Sequence, residues 1–472
     1  MSWLWTSEEM VEAMGGRPVG TLPEGVSGIS IDTRSLEKGD AFFAIKGENF
    51  DGHNFASNAM AAGAGLLVIS ESKLPALLRL KIGMIVVDDV LAAMGRLAAA
   101  ARARFQGQVI AVTGSAGKTT TKEALRHVLS ACGSVHASAK SFNNHWGVPL
   151  SLARLPRDTA YGVFEIGMNH PGEITPLVGL VRPHVAIITL IAAAHLGHFK
   201  NLDQIAHAKA EIFTGIVPGG YALINRDDAK YKLLERMARE AGVEHVLSFG
   251  ENPKADYRLV DLDEGDGGSQ VKARVGAQMV KFTVGAAGRH MVQNALAVMG
   301  AAHLTGADIG AVSRAFATLQ AEKGRGERHV LAHPEGGTFT VIDESYNANP
   351  ASMRAALKVL EAAPVNGEGR RIAVLGDMLE LGSHSAKLHA ALAAPVMESG
   401  ADALYLGGPE IAVLRDAMPE DFPVWHFADV AGLKEQLSGA VRPGDVIMIK
   451  SSNGIGFSKL VDALRERYAA AA

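Results

Sequence analysis

The sequence lacks the features of a disulfide-rich, membrane-spanning or nucleic-acid-binding protein. It contains a single cysteine among 472 residues, so a disulfide framework is excluded. The formal net charge of −4 provides no positive field for nucleic acid or an anionic membrane. No apolar run is long enough to cross a bilayer, and the N-terminus, MSWLWTSEEM, lacks the basic segment and apolar core of a signal peptide. We therefore expect a cytoplasmic protein.

What the chain does contain is typical of a globular protein with more than one domain. Hydrophobic residues make up 48% of the sequence and charged residues 20%, which is enough apolar material for large cores. A chain of 472 residues exceeds the usual size of one domain. Strand-like and helix-like segments alternate, so we predict an α/β fold of three domains with a mostly parallel central sheet. The predicted domains are residues 1–86, 87–320 and 321–472.

A strand, a loop of small residues and a helix follow one another in residues 108–125, QVIAVTGSAGKTTTKEAL. The apolar run 109–112 predicts a buried strand, and the helix begins at Lys118. Small loop residues allow backbone N–H groups to turn towards a polyphosphate, and the helix dipole adds positive charge there. The helix is amphipathic, because four apolar residues follow helical spacing: Leu125, Val128, Leu129 and Cys132.

This loop departs from the general P-loop pattern G-x-x-x-x-G-K-[ST], because Val112 occupies the place of the first glycine. A Gly-Lys-Thr triplet also occurs in ordinary strand-to-helix turns, so the flanking strand and helix carry the nucleotide-binding interpretation. Lys118 would reach the β- and γ-phosphates, and the Thr119 hydroxyl would bind Mg²⁺. The candidate nucleotide-binding residues of the loop are Thr113, Gly114, Ser115, Ala116, Gly117, Lys118, Thr119 and Thr120.

Three further side chains are candidates for the same edge of the sheet. Glu165 lies in the apolar run 161–166 and His195 follows the run 185–191, so both emerge beyond the carboxyl ends of parallel strands. A buried carboxylate needs a cation or hydrogen-bond donors, and a carboxylate with an imidazole beside a triphosphate indicates metal ligation. The plainer alternatives are a solvated loop histidine for His195 and a surface lysine for Lys209.

Such a set of residues suits a substrate carboxylate that attacks the γ-phosphate of ATP. Two anions must then approach each other, and Lys118 together with two Mg²⁺ ions would neutralise them. The product is an acyl phosphate, which an amine converts to an amide with loss of phosphate. A hydrolase would need only a positioned water molecule, so a second metal site would distinguish the ligase.

Several motifs together resemble the Mur ligase family, and the resemblance extends over nearly the whole chain. It implies an N-terminal domain for a UDP-linked substrate, a central ATPase domain with the P-loop and a C-terminal Rossmann-like domain that closes over the site. The motifs are TGSAGKTTTKE, SFNNHWGVPLSL, FEIGMNHPGEI, AAAHLGHF, IAHAKAEIF, DESYNANP, VLGDMLELG and the N-terminal SIDTRSLEKGDAFFAIKGENFDGH.

The resemblance also assigns roles to individual residues. It implies that Lys118 and Thr119 hold the phosphates and the first Mg²⁺, and that Glu165 binds this ion. His195 would bind the second Mg²⁺, and Lys209 would be carried as a carbamate that acts as an anionic metal ligand. The nucleotide-facing residues that it implies are Asn294, Arg325, Asp343 and Asn347. The residues implied for the UDP-linked substrate are Thr33, Arg34, Lys46, Asp51, His53, Asn143, Asn144 and Asn349.

Within the family, the segments YNANP and FNNHWGVP imply one activity in peptidoglycan precursor synthesis. This activity is the ATP- and Mg²⁺-dependent, ADP-forming ligation of D-alanyl-D-alanine to UDP-N-acetylmuramoyl-tripeptide, and we expect a monomer. One alternative is a related ligase that adds glutamate to folate or a single amino acid to the muropeptide. The other alternative is a non-catalytic P-loop nucleotide switch, which would need neither His195 nor Lys209.

Overall fold

The computed structural model describes residues 3–193, 197, 199–265 and 268–468, and its first part is a small α/β unit. Four parallel strands and one antiparallel edge strand form a sheet in the order β2-β7-β6-β5-β4. The strands are β1 Trp5–Thr6, β2 Arg17–Val19, β3 Gly25–Val26, β4 Ile29–Ser30, β5 Ala41–Phe43, β6 Leu66–Ser70 and β7 Met84–Val87. The helices are α1 Ser7–Met14, α2 Ala56–Ala61, α3 Leu74–Leu77 and α4 Val90–Arg104, with 3₁₀ turns at Gly52–Phe55 and Glu71–Lys73.

Helix α4 joins this first unit to the central one by packing on both. Its Leu97 lies in the core of the first sheet, whereas Ala98 lies in a core of the central sheet. Arg102 near its end donates from Nε to the carbonyl of Val181 at 2.8 Å. The helix therefore acts as a packed connector and not as a free linker.

The central unit is a nine-stranded sheet in the order β16-β15-β14-β13-β12-β11-β8-β10-β9. The seven strands β8 to β14 all pair with one another in parallel, as the sequence predicts. The strands are β8 Gln108–Thr113, β9 Val135–Ala137, β10 Tyr161–Glu165, β11 Val185–Ile188, β12 Tyr221–Asn225, β13 His245–Gly250, β14 Tyr257–Gly265, β15 Gly268–Val275 and β16 Gln278–Val284. The helices are α5 Lys118–Leu129, α6 Gly147–Ala153, α7 Ile174–Val181, α8 Leu202–Ala210, α9 Tyr231–Glu240, α10 Arg289–Leu304 and α11 Ile309–Phe316, with a 3₁₀ turn at Glu211–Gly215.

Helices cover both faces of this central sheet. Strand β8 lies inside the sheet, between β11 and β10, and is therefore covered on both faces. Ile110 and Val112 point into the core formed with α5, α10 and α11. Val109 and Ala111 point into the opposite core, formed with α6, α7, α8 and α9. Because both faces are buried, β8 is a continuous apolar run, as expected for a central parallel strand.

Two features of the central unit differ from the sequence prediction. Strands β14, β15 and β16 pair antiparallel and extend the sheet as a meander. Cys132 lies beyond the last residue of α5 and is only half-buried, although it packs against the same core as Leu125 and Leu129. Leu125 and Leu129, by contrast, are fully buried as predicted.

The third unit is a six-stranded sheet in the order β17-β18-β22-β19-β20-β21, parallel except for β17. Its strands are β17 Glu327–Ala332, β18 Thr338–Glu344, β19 Arg371–Gly376, β20 Ala403–Gly407, β21 Val424–Phe427 and β22 Val446–Lys450. Its helices are α12 Pro350–Ala362, α13 Ser385–Ala390, α14 Ala393–Glu398, α15 Ala412–Ala417, α16 Val430–Ala440 and α17 Ser458–Arg467, with 3₁₀ turns at Gly382–His384 and Asn453–Ile455. Among the described residues, none of the helices has the length and apolar character needed to span a bilayer.

Candidate active site

The loop between β8 and α5 has the backbone shape of a phosphate cradle. Gly114 and Gly117 have φ angles of 152° and 81°, which side chains rarely adopt. A Cβ on Gly114 would collide with the hydroxyl of Thr189, and one on Gly117 would lie 2.8 Å from Oδ1 of Asn294. The Lys118 ammonium folds back over the loop and donates to the Gly114 carbonyl at 2.7 Å. Glycine is therefore required at both positions.

The same loop holds a polar atom that is suited to an anionic ligand. The buried Ser115 hydroxyl has no hydrogen-bond partner among the described residues, and Ser115 lines a cavity of about 390 Å³. A buried polar group without a partner costs about 1–3 kcal/mol. A phosphate oxygen would accept from this hydroxyl, and therefore the loop fits the polyphosphate that its sequence predicts.

Glu165 stands beside the loop because β10 pairs directly with β8. The register places Glu165 opposite Val112, and the carboxylate is 1% exposed. Its Oε2 accepts from the Thr119 hydroxyl at 2.8 Å, and its Oε1 accepts from Nδ2 of Asn143 at 2.6 Å. The prediction of a buried, partnered carboxylate at this position is confirmed. Hydroxyl and carboxylate oxygens thus converge at the start of α5, where a hard dication would find its preferred ligands.

Lys209 is buried near these groups, so the interpretation as a surface lysine is wrong. The side chain lies near the end of α8 and is 1% exposed. Within the described part of the chain, its ammonium forms no hydrogen bond or ion pair. Burial lowers the pKa of Lys209 well below its ordinary value, the Lys118 ammonium lowers it further, and the Glu165 carboxylate opposes both effects. Burial therefore shifts the ionisation of Lys209 towards the neutral amine.

Lys118 interacts with charged groups of both signs. Burial lowers the pKa of Lys118, the Glu165 carboxylate raises it, and the guanidinium of Arg325 lowers it again. Lys118 thus interacts with the Glu165 carboxylate and with the Arg325 guanidinium, and Lys209 interacts with the same carboxylate. Such an unbalanced group of cations suits a triphosphate, whose negative charge would offset their mutual repulsion.

The third unit contributes side chains directly to the cavity over the P-loop. The Tyr346 hydroxyl lies 2.7 Å from Oγ of Ser141, and Nδ2 of Asn349 donates to the carbonyl of Ser115 at 3.3 Å. The guanidinium of Arg325 stacks on the Tyr346 ring, 4.2 Å from its centroid. The central and third units therefore line one cavity together.

Most of the predicted nucleotide and substrate residues of these two units line that cavity. Those that line it are Ser115, Ala116, Gly117, Lys118, Thr119, Thr120, Asn143, Glu165, Asn294, Arg325, Asn347 and Asn349. Thr113 and Gly114 lie beneath it, in strand β8 and at the start of the loop. His195 lies outside the described residues.

Lys209 does not line the cavity, and neither do Asp343 and Asn144, each of which has another partner. Asp343 is fully buried and accepts from the backbone N–H of Gly324 and of Ser345, both at 3.0 Å. Because successive strand residues point to opposite faces, the next residue, Glu344, lines the cavity instead. The Asn144 side chain accepts from the Gly147 N–H, the first N–H of helix α6, at 2.9 Å.

The predicted UDP-site residues of the first unit divide into two groups. Asp51 pairs with Nδ1 of His53 at 2.6 Å and with Nζ of Lys73 at 2.8 Å. Burial alone would raise the pKa of Asp51, but hydrogen bonds from these two residues lower it strongly. Lys46 forms an isolated β-bridge with Asp51. Arg34 instead forms an exposed ion pair with Asp32 at 2.6 Å, next to the half-buried Thr33.

Lys122 supports the site, and the sequence interpretation missed it. This lysine is fully buried, and its ammonium donates to the carbonyls of Ser138 at 2.8 Å and Lys140 at 2.7 Å. It thereby holds the loop that carries Ser141 and Asn143. The signal was available, because Lys122 falls on the apolar face of α5, three residues before Leu125.

Other missed residues are Tyr346, His290 and the buried pair Glu344–Lys450, all of which line the cavity. The Lys450 ammonium lies 3.1 Å from Oε2 of Glu344. Burial lowers the pKa of His290, with Glu344 opposing the shift and Lys450 adding to it, so the neutral imidazole is favoured. These groups come from the strand ends of the third unit and from α10, where sequence alone gives no indication of a shared cavity.

The P-loop lies in the central sheet, and the third α/β unit lines the same cavity. Together with the first unit, this arrangement defines a class of three-unit proteins that use ATP. Family models match all three units: Mur ligase family, catalytic domain, at residues 25–102; Mur ligase middle domain, at residues 112–302; and Mur ligase, glutamate ligase domain, at residues 324–453. The chain belongs to the Mur ligase family.

Individual relatives cover nearly the whole chain. The UDP-N-acetylmuramoyl-tripeptide–D-alanyl-D-alanine ligase of Rickettsia prowazekii is 30% identical over 97% of this chain and 99% of its own length. The enzyme of the same name from Escherichia coli is 34% identical over 93% of each chain. A crystal structure of MurF from Acinetobacter baumannii superposes with a TM-score of 0.84 at 31% identity, covering 98% of this chain and 99% of the other.

Proposed function

We propose that this chain is an ADP-forming ligase that joins D-alanyl-D-alanine to UDP-N-acetylmuramoyl-tripeptide in peptidoglycan precursor synthesis. The relatives that match nearly its full length carry the name of this activity. The observation that carries the proposal is the shared cavity, in which Arg325 and Asn349 of the third unit meet the P-loop. A simple nucleotide hydrolase would not need a second α/β unit over its phosphate cradle.

The reaction has two steps, each of which changes one pair of bonds. An oxygen of the tripeptide carboxylate attacks the γ-phosphorus of ATP, the bond to the β-phosphate oxygen breaks, and ADP leaves. The amine of D-alanyl-D-alanine then attacks the acyl carbon, loses a proton, and expels inorganic phosphate as the amide forms. Lys118 and Arg325 reduce the repulsion between carboxylate and triphosphate in the first step, because both place positive charge at the cavity.

The buried oxygens near the P-loop fit a magnesium requirement. Thr119 and Glu165 would hold the first ion, and His195 and Lys209 would hold the second. Bound Mg²⁺ would offset the negative charge of the phosphates and orient them. The Thr119–Glu165 hydrogen bond of 2.8 Å holds two of these oxygen donors together.

Lys209 becomes a suitable ligand if its amine reacts with carbon dioxide. The nitrogen forms a bond to the carbon of CO₂ and releases one proton, which gives a carbamate anion. A neutral amine is the reactive form, and burial favours that form of Lys209. The product would place an anion beside the triphosphate site, where metal ions would balance it.

The three predicted domains divide the substrates between them. Residues 1–86 would bind the UDP moiety through Thr33, Arg34, Lys46, Asp51 and His53, and residues 87–320 would bind ATP. Residues 321–472 would close the site, with Asn347 facing the nucleotide. Asn294 would contact the adenine, and Asn143, Asn144 and Asn349 would face the UDP-linked substrate. Asp343 would act on the nucleotide side indirectly, by holding the Gly324 N–H beside Arg325.

We also propose that the enzyme is a cytoplasmic monomer. The cavity that joins the central and third units is built from residues of one chain, so no second copy is needed to complete it. ATP and nucleotide-linked precursors are cytoplasmic metabolites, which favours that compartment.

An isotope-transfer experiment tests the acyl-phosphate route. UDP-N-acetylmuramoyl-tripeptide labelled with ¹⁸O in its terminal carboxylate is incubated with ATP, Mg²⁺ and D-alanyl-D-alanine, and the phosphate is analysed by mass spectrometry. We expect one ¹⁸O atom in each phosphate released. Unlabelled phosphate would contradict the route, and turnover with L-glutamate or a single amino acid in place of the dipeptide would favour a related ligase.

A further inference from the structure

Three potential metal ligands converge on one face of the β17–β18 strand pair, outside the nucleotide cavity. Glu327 pairs with Asp343 across the strands, and His329 lies two residues further along the same face. One ligand atom from each of the three side chains lies within 4.8 Å of those of the other two. Asp343 is fully buried, whereas Glu327 and His329 are partly buried.

Two of these atoms are buried without a hydrogen-bond partner among the described residues. They are Nε2 of His329 and Oε2 of Glu327, which face each other at 3.5 Å. The His329 side chain is only 10% exposed. Buried polar atoms are normally satisfied, so two unsatisfied ones that point at each other indicate a missing partner between them.

The charge at this position also calls for a cation. Glu327 and Asp343 are carboxylates directly opposite each other in an antiparallel pair, an arrangement that destabilises a sheet. Asp343 accepts two hydrogen bonds at Oδ1, from the N–H and the hydroxyl of Ser345, and one at Oδ2 from the Gly324 N–H. A lone pair of Oδ2 remains available for a further partner.

The geometry points to a transition-metal site formed by Glu327, His329 and Asp343, separate from the catalytic magnesium ions. One imidazole with two carboxylates is a ligand set that first-row dications such as Zn²⁺, Mn²⁺ or Fe²⁺ bind more strongly than Mg²⁺ does. Asp343 also accepts a hydrogen bond from the N–H of Gly324, the residue before Arg325. A metal bound to Asp343 would therefore hold the segment that carries Arg325 in place near the P-loop. The site would thus stabilise the loop that supplies this cation.

Zinc titration of the full-length protein tests the site directly. Isothermal titration is performed in excess Mg²⁺, which occupies the oxygen ligands near Thr119, with the wild type and the variant His329→Gln. The matched control is His384→Gln, which removes an exposed histidine of the same unit. We expect the wild type and His384→Gln to bind one more equivalent of Zn²⁺ than His329→Gln.

Cobalt substitution gives an independent readout. We expect a visible Co²⁺ absorption band in the wild type that is lost in His329→Gln and in Glu327→Gln. Glu327→Gln provides a second variant whose side chain is 35% exposed, so it is expected to fold even if His329→Gln does not. Equal zinc stoichiometry and equal cobalt spectra in the wild type and in the folded variants would overturn the proposal. His329 and Glu327 would then form only an ion pair.

Discussion

The two fully buried lysines of the central unit are predicted to respond in opposite ways to the same substitution. Lys209 carries an ammonium without a hydrogen-bond partner among the described residues, whereas the Lys122 ammonium donates to two carbonyls. Methionine keeps most of the side-chain volume and removes the charge in both cases. We expect Lys209→Met to stabilise the folded protein while it removes activity, and Lys122→Met to destabilise it.

The magnitudes follow from the contacts. A buried polar group without a partner costs about 1–3 kcal/mol, so Lys209→Met is expected to stabilise by up to about this amount. Each buried carbonyl left without a donor costs about 1–3 kcal/mol, so Lys122→Met is expected to lose about 2–6 kcal/mol. Loss of an electrostatic group from the site lowers kcat by roughly 10²–10³-fold, which is the expectation for Lys209→Met.

The pH dependence of stability separates the two lysines further. Burial lowers the pKa of Lys209 in the folded state below its ordinary value of 10.5. At a pH between the folded-state pKa and 10.5, the folded state therefore binds fewer protons than the unfolded state. The stability of the wild type therefore rises with pH through this window. The advantage of Lys209→Met is largest below the folded-state pKa and disappears as the pH approaches 10.5.

Thermal and urea unfolding in CO₂-free buffer measure these differences, and the initial rate of ADP release measures activity. Circular dichroism before unfolding verifies that both variants are folded. If Lys209→Met lowers the unfolding midpoint as much as Lys122→Met does, then the Lys209 ammonium is well satisfied in the folded state. The account of a neutral, reactive amine would then be wrong.

Three further predictions concern the catalytic groups. Lys118→Ala should abolish ATP turnover with little change in the unfolding midpoint, because it removes the cation that reaches the phosphates. Lys209→Ala should regain part of its ADP-release rate when short carboxylic acids are added, since these replace the carbamate; no rescue at any concentration would contradict that role. Tyr346→Phe removes the hydrogen bond between units, worth about 0.5–1.5 kcal/mol. Its kcat should fall about 2- to 10-fold, whereas an unchanged kcat would show that this contact does not limit closure.

The parts of the fold that a local pattern specifies could be predicted from the sequence. The apolar run of β8, the glycines of its loop and the amphipathic face of α5 identify the P-loop because each is a short-range signal. The antiparallel strands β14 to β16 were missed, although residues 268–284 alternate between buried and exposed positions. Alternation indicates a strand but does not specify its partner or direction, which depend on contacts distant in the sequence.

The site was predicted where a residue's environment follows from its neighbours in sequence. Glu165 is buried because it ends an apolar strand, and the sequence makes this evident. The burial of Lys209 depends on how α8 packs, and nothing in its flanking alanines specifies that. At the end of β18, Asp343 and Glu344 point to opposite faces, and only the tertiary fold decides that Glu344 faces the cavity.

The most direct test of the central claim is a coupled assay of ADP and phosphate release with purified protein. ATP and Mg²⁺ are supplied with UDP-N-acetylmuramoyl-tripeptide, with D-alanyl-D-alanine, or with both. We predict sustained turnover only when both substrates are present, with one amide bond formed for each ADP released. ATP turnover that is indifferent to either substrate would contradict amide ligation at this cavity.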